Sequence, residues 1–85
     1  MVTGMSTNAR PEWTFGDRLR KSREDAGLAQ AEMAGRFDVS EATISNWETQ
    51  ARKPRSGELD LAHKWAEETR VPVEWLLGLV PDVYR

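Results

Sequence analysis

Apolar residues recur at a helical spacing between residues 28 and 47, with one interruption. The helical period continues to Phe37, breaks over residues 38–40 and resumes at Glu41. The apolar positions are Leu28, Met33, Ala34, Phe37, Val39, Ile44 and Trp47. Helices this short are not stable alone in water. The pattern therefore predicts two short helices, over about residues 30–37 and 41–49, joined by a tight turn and packed on other helices.

The flanking sequence predicts three more helices. The first covers about residues 15–26, with Thr14 and Asp17 placed as a capping box and Gly27 ending it. The fourth begins with Ser56 as its cap, and the fifth runs from Pro72 to Gly78. The predicted buried stripe of the fourth helix is Leu59, Ala62, Trp65, Ala66 and Thr69.

The predicted fold is therefore all-α with five helices. We expect a disordered arm over residues 1–13, a single helical domain over residues 14–78, and a tail over residues 79–85. No apolar run is long enough for a membrane span, and no signal peptide is recognisable, so a cytoplasmic protein without membrane contact is expected.

The helix over residues 41–49 has an outer face suited to reading DNA. Ile44 and Trp47 point one way, and the opposite face is small and polar. Asn46 can hydrogen-bond adenine, the methyl groups of Ala42 or Thr43 can touch thymine, and Glu41 can accept from cytosine. The predicted base-reading residues are Glu41, Ala42, Thr43 and Asn46. An ordinary solvent-exposed helix explains the periodicity equally well.

Charge is distributed unevenly along the chain. The net charge is −2, which by itself argues against nucleic-acid binding. However, cations cluster in the first helix and again just after the helix over residues 41–49, and the acids concentrate later. The predicted phosphate-binding residues are Gln30, Ser45, Thr49, Arg52, Lys53 and Arg55. The alternative is that these polar side chains only solvate helix surfaces.

The composition offers little for other chemistry. The chain has no cysteine and one histidine, so neither a disulfide nor a metal site is expected. It also lacks a glycine-rich phosphate loop, and no carboxylate pair falls in a predicted cleft. We therefore expect no enzyme activity and no cofactor.

Residues 28–55 resemble the Cro/CI-type helix-turn-helix family, which includes the DNA-binding domains of lambdoid phage repressors. The matching positions are Leu28, Gln30, Met33, Ala34, Val39, Ser40, Thr43, Ile44, Ser45, Trp47, Glu48 and Pro54. The sequence from Val73 to Gly78 is similar to the fifth helix of those repressors. The resemblance implies a lambda-repressor-like, five-helix transcriptional regulator that binds palindromic operator DNA as a homodimer.

The resemblance also implies roles for individual residues. Glu41, Ala42 and Asn46 fall on its base-reading positions, and Gln30 falls on a glutamine close to phosphate and bases. Arg55 falls on an arginine that approaches the minor groove. Arg23 and Glu48 fall on a buried ion pair. The chain departs from the pattern at Ala29, where Ser or Thr is common, and at Asp38 and Gln50, where Gly is common.

The end of the chain is rich in apolar residues. Trp75, Leu79, Val80 and Val83 are the predicted dimer contacts, although a tail that folds back onto the core is an equal alternative. A second function also stays open, since the same fold occurs in antitoxins and other protein-interaction modules, which bind a protein partner.

Overall fold

The computed structural model describes residues 13–80 and contains five α-helices and no strand in that range. The helices are α1 (Phe15–Asp25), α2 (Gln30–Phe37), α3 (Glu41–Thr49), α4 (Glu58–Thr69) and α5 (Val73–Leu76). The prediction of a small all-α fold is confirmed. No helix within residues 13–80 has the length and apolar character needed to cross a membrane.

Parts of the predicted arm and tail lie outside the described residues. These are residues 1–12 and residues 81–85, including Val83. Trp13, which was assigned to the arm, packs edge-to-face against Trp75 with ring centroids 6.0 Å apart. The packed part of the chain therefore includes this tryptophan.

Local sequence determines how α1 begins and how α1 and α2 end. The Thr14 hydroxyl accepts from the Asp17 amide at 3.0 Å, and the Asp17 carboxylate accepts from the Thr14 amide at 3.1 Å, which completes the predicted capping box. Gly27 has a positive φ of 75° just after α1. Asp38, in the turn between α2 and α3, is left-handed with φ 56°, as expected for a short polar residue that tolerates this conformation.

The predicted N-cap of α4 was wrong by one residue. The N-cap is Gly57, with φ 93°, and Ser56 belongs to the preceding loop. The buried residues of α4 are Leu61, Ala62, Trp65 and Thr69, whereas Leu59 is 60% exposed. Leu59 and Leu61 are about 200° apart on a helical wheel, so they cannot share a buried face. Leu61 lies about 40° from the buried Trp65 around the helix and Leu59 about 120°, so the face of α4 that buries Trp65 includes Leu61 and not Leu59.

The core lies between α1, α2, α3 and the C-terminal helices. Its buried apolar residues are Leu19, Met33, Ala34, Ile44, Leu61, Ala62, Trp65, Val71, Trp75 and Leu76. The indole N–H of Trp65 donates to the Leu19 carbonyl at 3.1 Å and to the Ser22 hydroxyl at 2.9 Å. These bonds satisfy the polar atom of a fully buried ring, which otherwise costs free energy.

The start of α1 lies against the backbone at the end of α3. A Cβ atom built on Gly16 would lie 2.2 Å from the Glu48 carbonyl oxygen and 2.9 Å from the Trp47 carbonyl oxygen. Only glycine permits this approach, because backbone atoms cannot move aside as the end of a flexible side chain can. Gly16 therefore determines how closely α1 packs against α3.

We predict that Gly16→Ala lowers the free energy of unfolding by about 1–3 kcal/mol, because the new methyl group forces α1 away from α3. Gly35→Ala is the matched control, since Gly35 lies inside α2 with open space around its Cβ position. That change should stabilise the protein by about 0.5–1 kcal/mol. Urea denaturation measures both. Equal effects of the two substitutions would contradict the close packing at Gly16.

Candidate nucleic-acid interface

The N-terminus of α3 is fixed by Ser40. The Ser40 hydroxyl accepts from the Thr43 amide at 3.1 Å and lies 2.9 Å from the Thr43 hydroxyl. This cap supplies a side-chain acceptor for an amide of the first turn, which also donates to the Ser40 carbonyl at 3.0 Å. The Thr43 hydroxyl is thereby engaged at the helix end, and the side chain is half-buried.

The outer surface of α3 carries the predicted base-reading residues. Glu41 and Ala42 are exposed, Asn46 is half-buried, and Ile44 on the opposite face is completely buried. Within residues 13–80, neither Glu41 nor the Asn46 amide has a side-chain hydrogen bond or ion pair. These polar groups are therefore available to an external partner.

Two hydroxyl residues predicted to bind phosphate lie on the same helix. Ser45 is half-buried and Thr49 is exposed. The Thr49 hydroxyl donates to the Ser45 carbonyl at 2.9 Å. It would have to rotate before it could donate to a phosphate oxygen.

Glu48, on the inner face of α3, is hydrogen-bonded to two other elements. Its carboxylate accepts from Arg23 Nε of α1 at 2.6 Å and Nη2 at 3.1 Å, a bidentate geometry. It also accepts from the Gln30 amide of α2 at 3.0 Å. The Arg23 guanidinium additionally donates to the Leu28 carbonyl at 2.8 Å. We call the side chains of Arg23, Gln30 and Glu48 the Glu48 network.

The two charges of this network are almost excluded from water, with side chains 9% exposed for Arg23 and 2% for Glu48. The hydrogen bond to Glu48 and its negative charge raise the pKa of Arg23 above its ordinary value, although burial acts in the opposite direction. The guanidinium therefore stays charged. This is the buried pair that the family resemblance implied.

Gln30, the first residue of α2, has a different environment from the one predicted. Its side-chain amide is bonded to Glu48, so one of its two N–H groups is already used. The preceding residue Ala29 provides no side-chain cap; instead its amide donates to the Glu32 carboxylate at 3.0 Å. A phosphate contact by Gln30 would have to use the remaining N–H.

The loop after α3 carries three exposed cations, Arg52, Lys53 and Arg55, around Pro54. We call residues 50–57 the basic loop. It begins with Gln50, which is left-handed with φ 63° and accepts from the Gly16 amide at 2.8 Å. The departure from Gly at this position thus has a structural reason, because the Gln50 side chain caps α1. Thr43, Asn46 and the three cations line one cleft, so the basic loop and α3 form a continuous surface.

The predicted dimer contacts separate into two groups. Trp75 is completely buried, so its prediction as a dimer contact was wrong; it packs with Trp13 and the core instead. The physical reason is that the indole ring fills the space between α5 and the start of α1. Leu79 is 71% and Val80 is 40% exposed, so both are available to a partner.

Some contributors to this site were not recognised in the sequence. Gly16 and Gln50 position α3 relative to α1, yet they lie 34 residues apart and no local pattern links them. Within residues 13–80, no group of three potential ligands lies close enough to bind a metal ion.

One comparison with known proteins identifies the domain. The sequence of residues 14–62, more than half of the chain, matches the family described as "Helix-turn-helix domain". The matched range contains α1, α2, α3 and the first residues of α4. No curated protein is significantly similar to the chain.

We predict that Glu48→Gln lowers the free energy of unfolding by about 3–5 kcal/mol, because it leaves the buried Arg23 charge without a carboxylate. Glu68→Gln is the matched control. It removes the ion pair between Glu68 and Arg36, which has the similar length of 2.8 Å but is exposed. The control should cost less than about 1 kcal/mol. Similar losses for both variants in chemical denaturation would show that the Glu48 network is not buried in solution.

Proposed function

The chain belongs to the helix-turn-helix domain family, and from this premise we propose that it is a sequence-specific, DNA-binding transcriptional regulator. It is a repressor or Cro-like protein of phage or phage-like type, acts in the cytoplasm and has no catalytic activity. The observation that carries the proposal is the surface of α3. Among its outward residues, the Glu41 carboxylate and the Asn46 amide have no hydrogen bond within residues 13–80 and can bond externally. Its inner side is fixed by Ile44 and the Glu48 network.

In this proposal α3 lies in the major groove. Asn46 donates to and accepts from an adenine edge, and Glu41 accepts from the amino group of cytosine. The methyl groups of Ala42 and Thr43 contact thymine. The engaged Thr43 hydroxyl supports this role, because the capping bond leaves the methyl group as the part available for apolar contact.

The basic loop binds the phosphate backbone. Arg52, Lys53 and Arg55 are exposed and adjoin α3, which itself contains no cation. Ser45, Thr49 and the remaining N–H of Gln30 add neutral contacts to phosphate. Glu41 weakens binding wherever it does not meet a cytosine, since its carboxylate repels phosphate. Affinity thus comes from the basic loop and specificity from α3.

The protein binds a palindromic operator as a homodimer. Leu79 and Val80, which are exposed next to α5, form the proposed self-association surface. Two copies related by a two-fold axis would place their α3 helices in successive major grooves, about 34–36 Å apart.

The second candidate function is that of an antitoxin or other protein-interaction module. The observation in its favour is the outer surface of α4, which exposes Leu59 beside acidic residues. A basic partner protein would complement this charge. The two functions are compatible, because α4 and the outer face of α3 are different surfaces.

DNA selected from a random pool tests the proposal directly. On the selected site, Asn46→Ala should cost about 1–3 kcal/mol of binding free energy and relax the preference at one base pair. Lys53→Ala should weaken binding to selected and random DNA alike and reduce the salt slope by about one. Gel shifts at several salt concentrations measure both effects.

Gly35→Ala is the control for these gel shifts, because Gly35 is exposed on α2 and has open space around it. Selection that yields no preferred sequence would refute specific recognition. Equal effects of Asn46→Ala on selected and random DNA would show that α3 does not read bases.

The self-association surface makes a separate prediction. Leu79→Asp should convert the dimer to a monomer in sedimentation equilibrium, because a charge replaces exposed apolar area at the interface. Leu59→Asp, which alters the other highly exposed leucine, should leave the dimer intact. Loss of the dimer only in Leu59→Asp would place the interface at the start of α4 and contradict the assignment.

A further inference from the structure

A cleft of about 640 Å³ opens between α3, the basic loop and α4. This volume lies in the range of small-molecule sites, about 300–1,000 Å³. We call it the loop cleft. Its apolar lining comes from Phe37, Val39, Trp47, Pro54 and Leu61. The Phe37 and Trp47 rings meet edge-to-face with centroids 6.0 Å apart, so the lining includes an aromatic pair.

The charged lining of the loop cleft is entirely positive among the described residues. Arg52, Lys53 and Arg55 contribute from the basic loop, and Lys64 contributes from α4. Lys64 is paired with one acid, Asp60, whose carboxylate lies 3.6 Å from Lys64 Nζ. Both side chains of that pair are well exposed, so the pair is weak and Lys64 remains available to an anion.

We propose that the loop cleft binds a small aromatic carboxylate and that this ligand competes with DNA. An aromatic body fits the lining of Phe37 and Trp47, and a carboxylate complements the four cations. The competition rests on the proposed function. Its basis is that Thr43, Asn46 and the cations of the basic loop line the loop cleft and also form the proposed DNA surface.

The first experiment uses the full chain without DNA and naphthoate as the probe. Calorimetry should show saturable binding at one site. Naphthalenemethanol, which lacks the charge, should bind about tenfold more weakly, and acetate, which lacks the aromatic body, should not bind measurably. In heteronuclear NMR spectra, naphthoate should shift the indole N–H signal of Trp47 more than that of Trp75, which is completely buried in the core.

Lys64→Glu tests whether the site is the loop cleft. It should weaken naphthoate binding about fivefold. Lys21→Glu is the matched control, since Lys21, whose side chain is 44% exposed, is also a lysine paired with an aspartate four residues away, but it lies on α1 outside the cleft. That variant should bind naphthoate like the unaltered chain. Absence of saturable binding, or equal effects of the two variants, would overturn the proposal.

The second experiment measures competition by gel shift with the selected DNA. Naphthoate should lower the affinity for DNA, whereas acetate at the same ionic strength should not. If naphthoate binds at the cleft and DNA affinity is unchanged, the competition is refuted. If the chain binds naphthoate but no DNA at all, the proposed function and the competition fail while the ligand site stands.

Discussion

The buried carboxylate of Glu48 holds three helices in one arrangement. It belongs to α3, accepts two hydrogen bonds from Arg23 of α1 and one from Gln30 at the start of α2. A buried charge is tolerated only while its partners are in place. Movement of α1 or α2 away from α3 would leave the Glu48 carboxylate buried without its hydrogen-bond donors, which costs free energy. Gly16 and Gln50 add a second connection from α1 to the end of α3. The orientation of the outer face of α3 depends on these inner contacts.

Recognition and affinity are assigned to different segments because their chemical requirements differ. Groups that read bases must be short and rigidly placed, and in the proposed function α3 provides them on a helix fixed from within. Phosphate binding needs positive charge, which the exposed basic loop supplies. This division explains how a chain with net charge −2 can present a DNA-binding surface, since the distribution of charge matters more than its sum. The loop cleft is lined by residues of α3 and by the cations of the basic loop, so an anion bound there would affect both base reading and phosphate binding in the proposed function.

The sequence was most informative where structure depends on neighbouring residues. The capping box of Thr14 and Asp17, the left-handed Asp38 and the five-helix arrangement follow from local spacing and conformational preference. It was least informative where distant residues meet. The burial of Leu61 instead of Leu59 depends on which side of α4 meets the core, and the burial of Trp75 depends on its contact with the distant Trp13. For the site, helical periodicity predicted which residues of α3 face outward. The hydrogen bond from the Gln30 amide to Glu48 depends on the packing of α2 against α3 and could not be predicted.

The most direct measurement is a set of intermolecular NOEs between the protein and its selected DNA. The account predicts contacts from the Ala42 methyl group and the Asn46 side chain to base protons in the major groove, together with contacts from the basic loop to sugar protons of the backbone. Contacts confined to the basic loop, with none between α3 and the bases, would contradict the assignment of α3 as the element that reads the sequence.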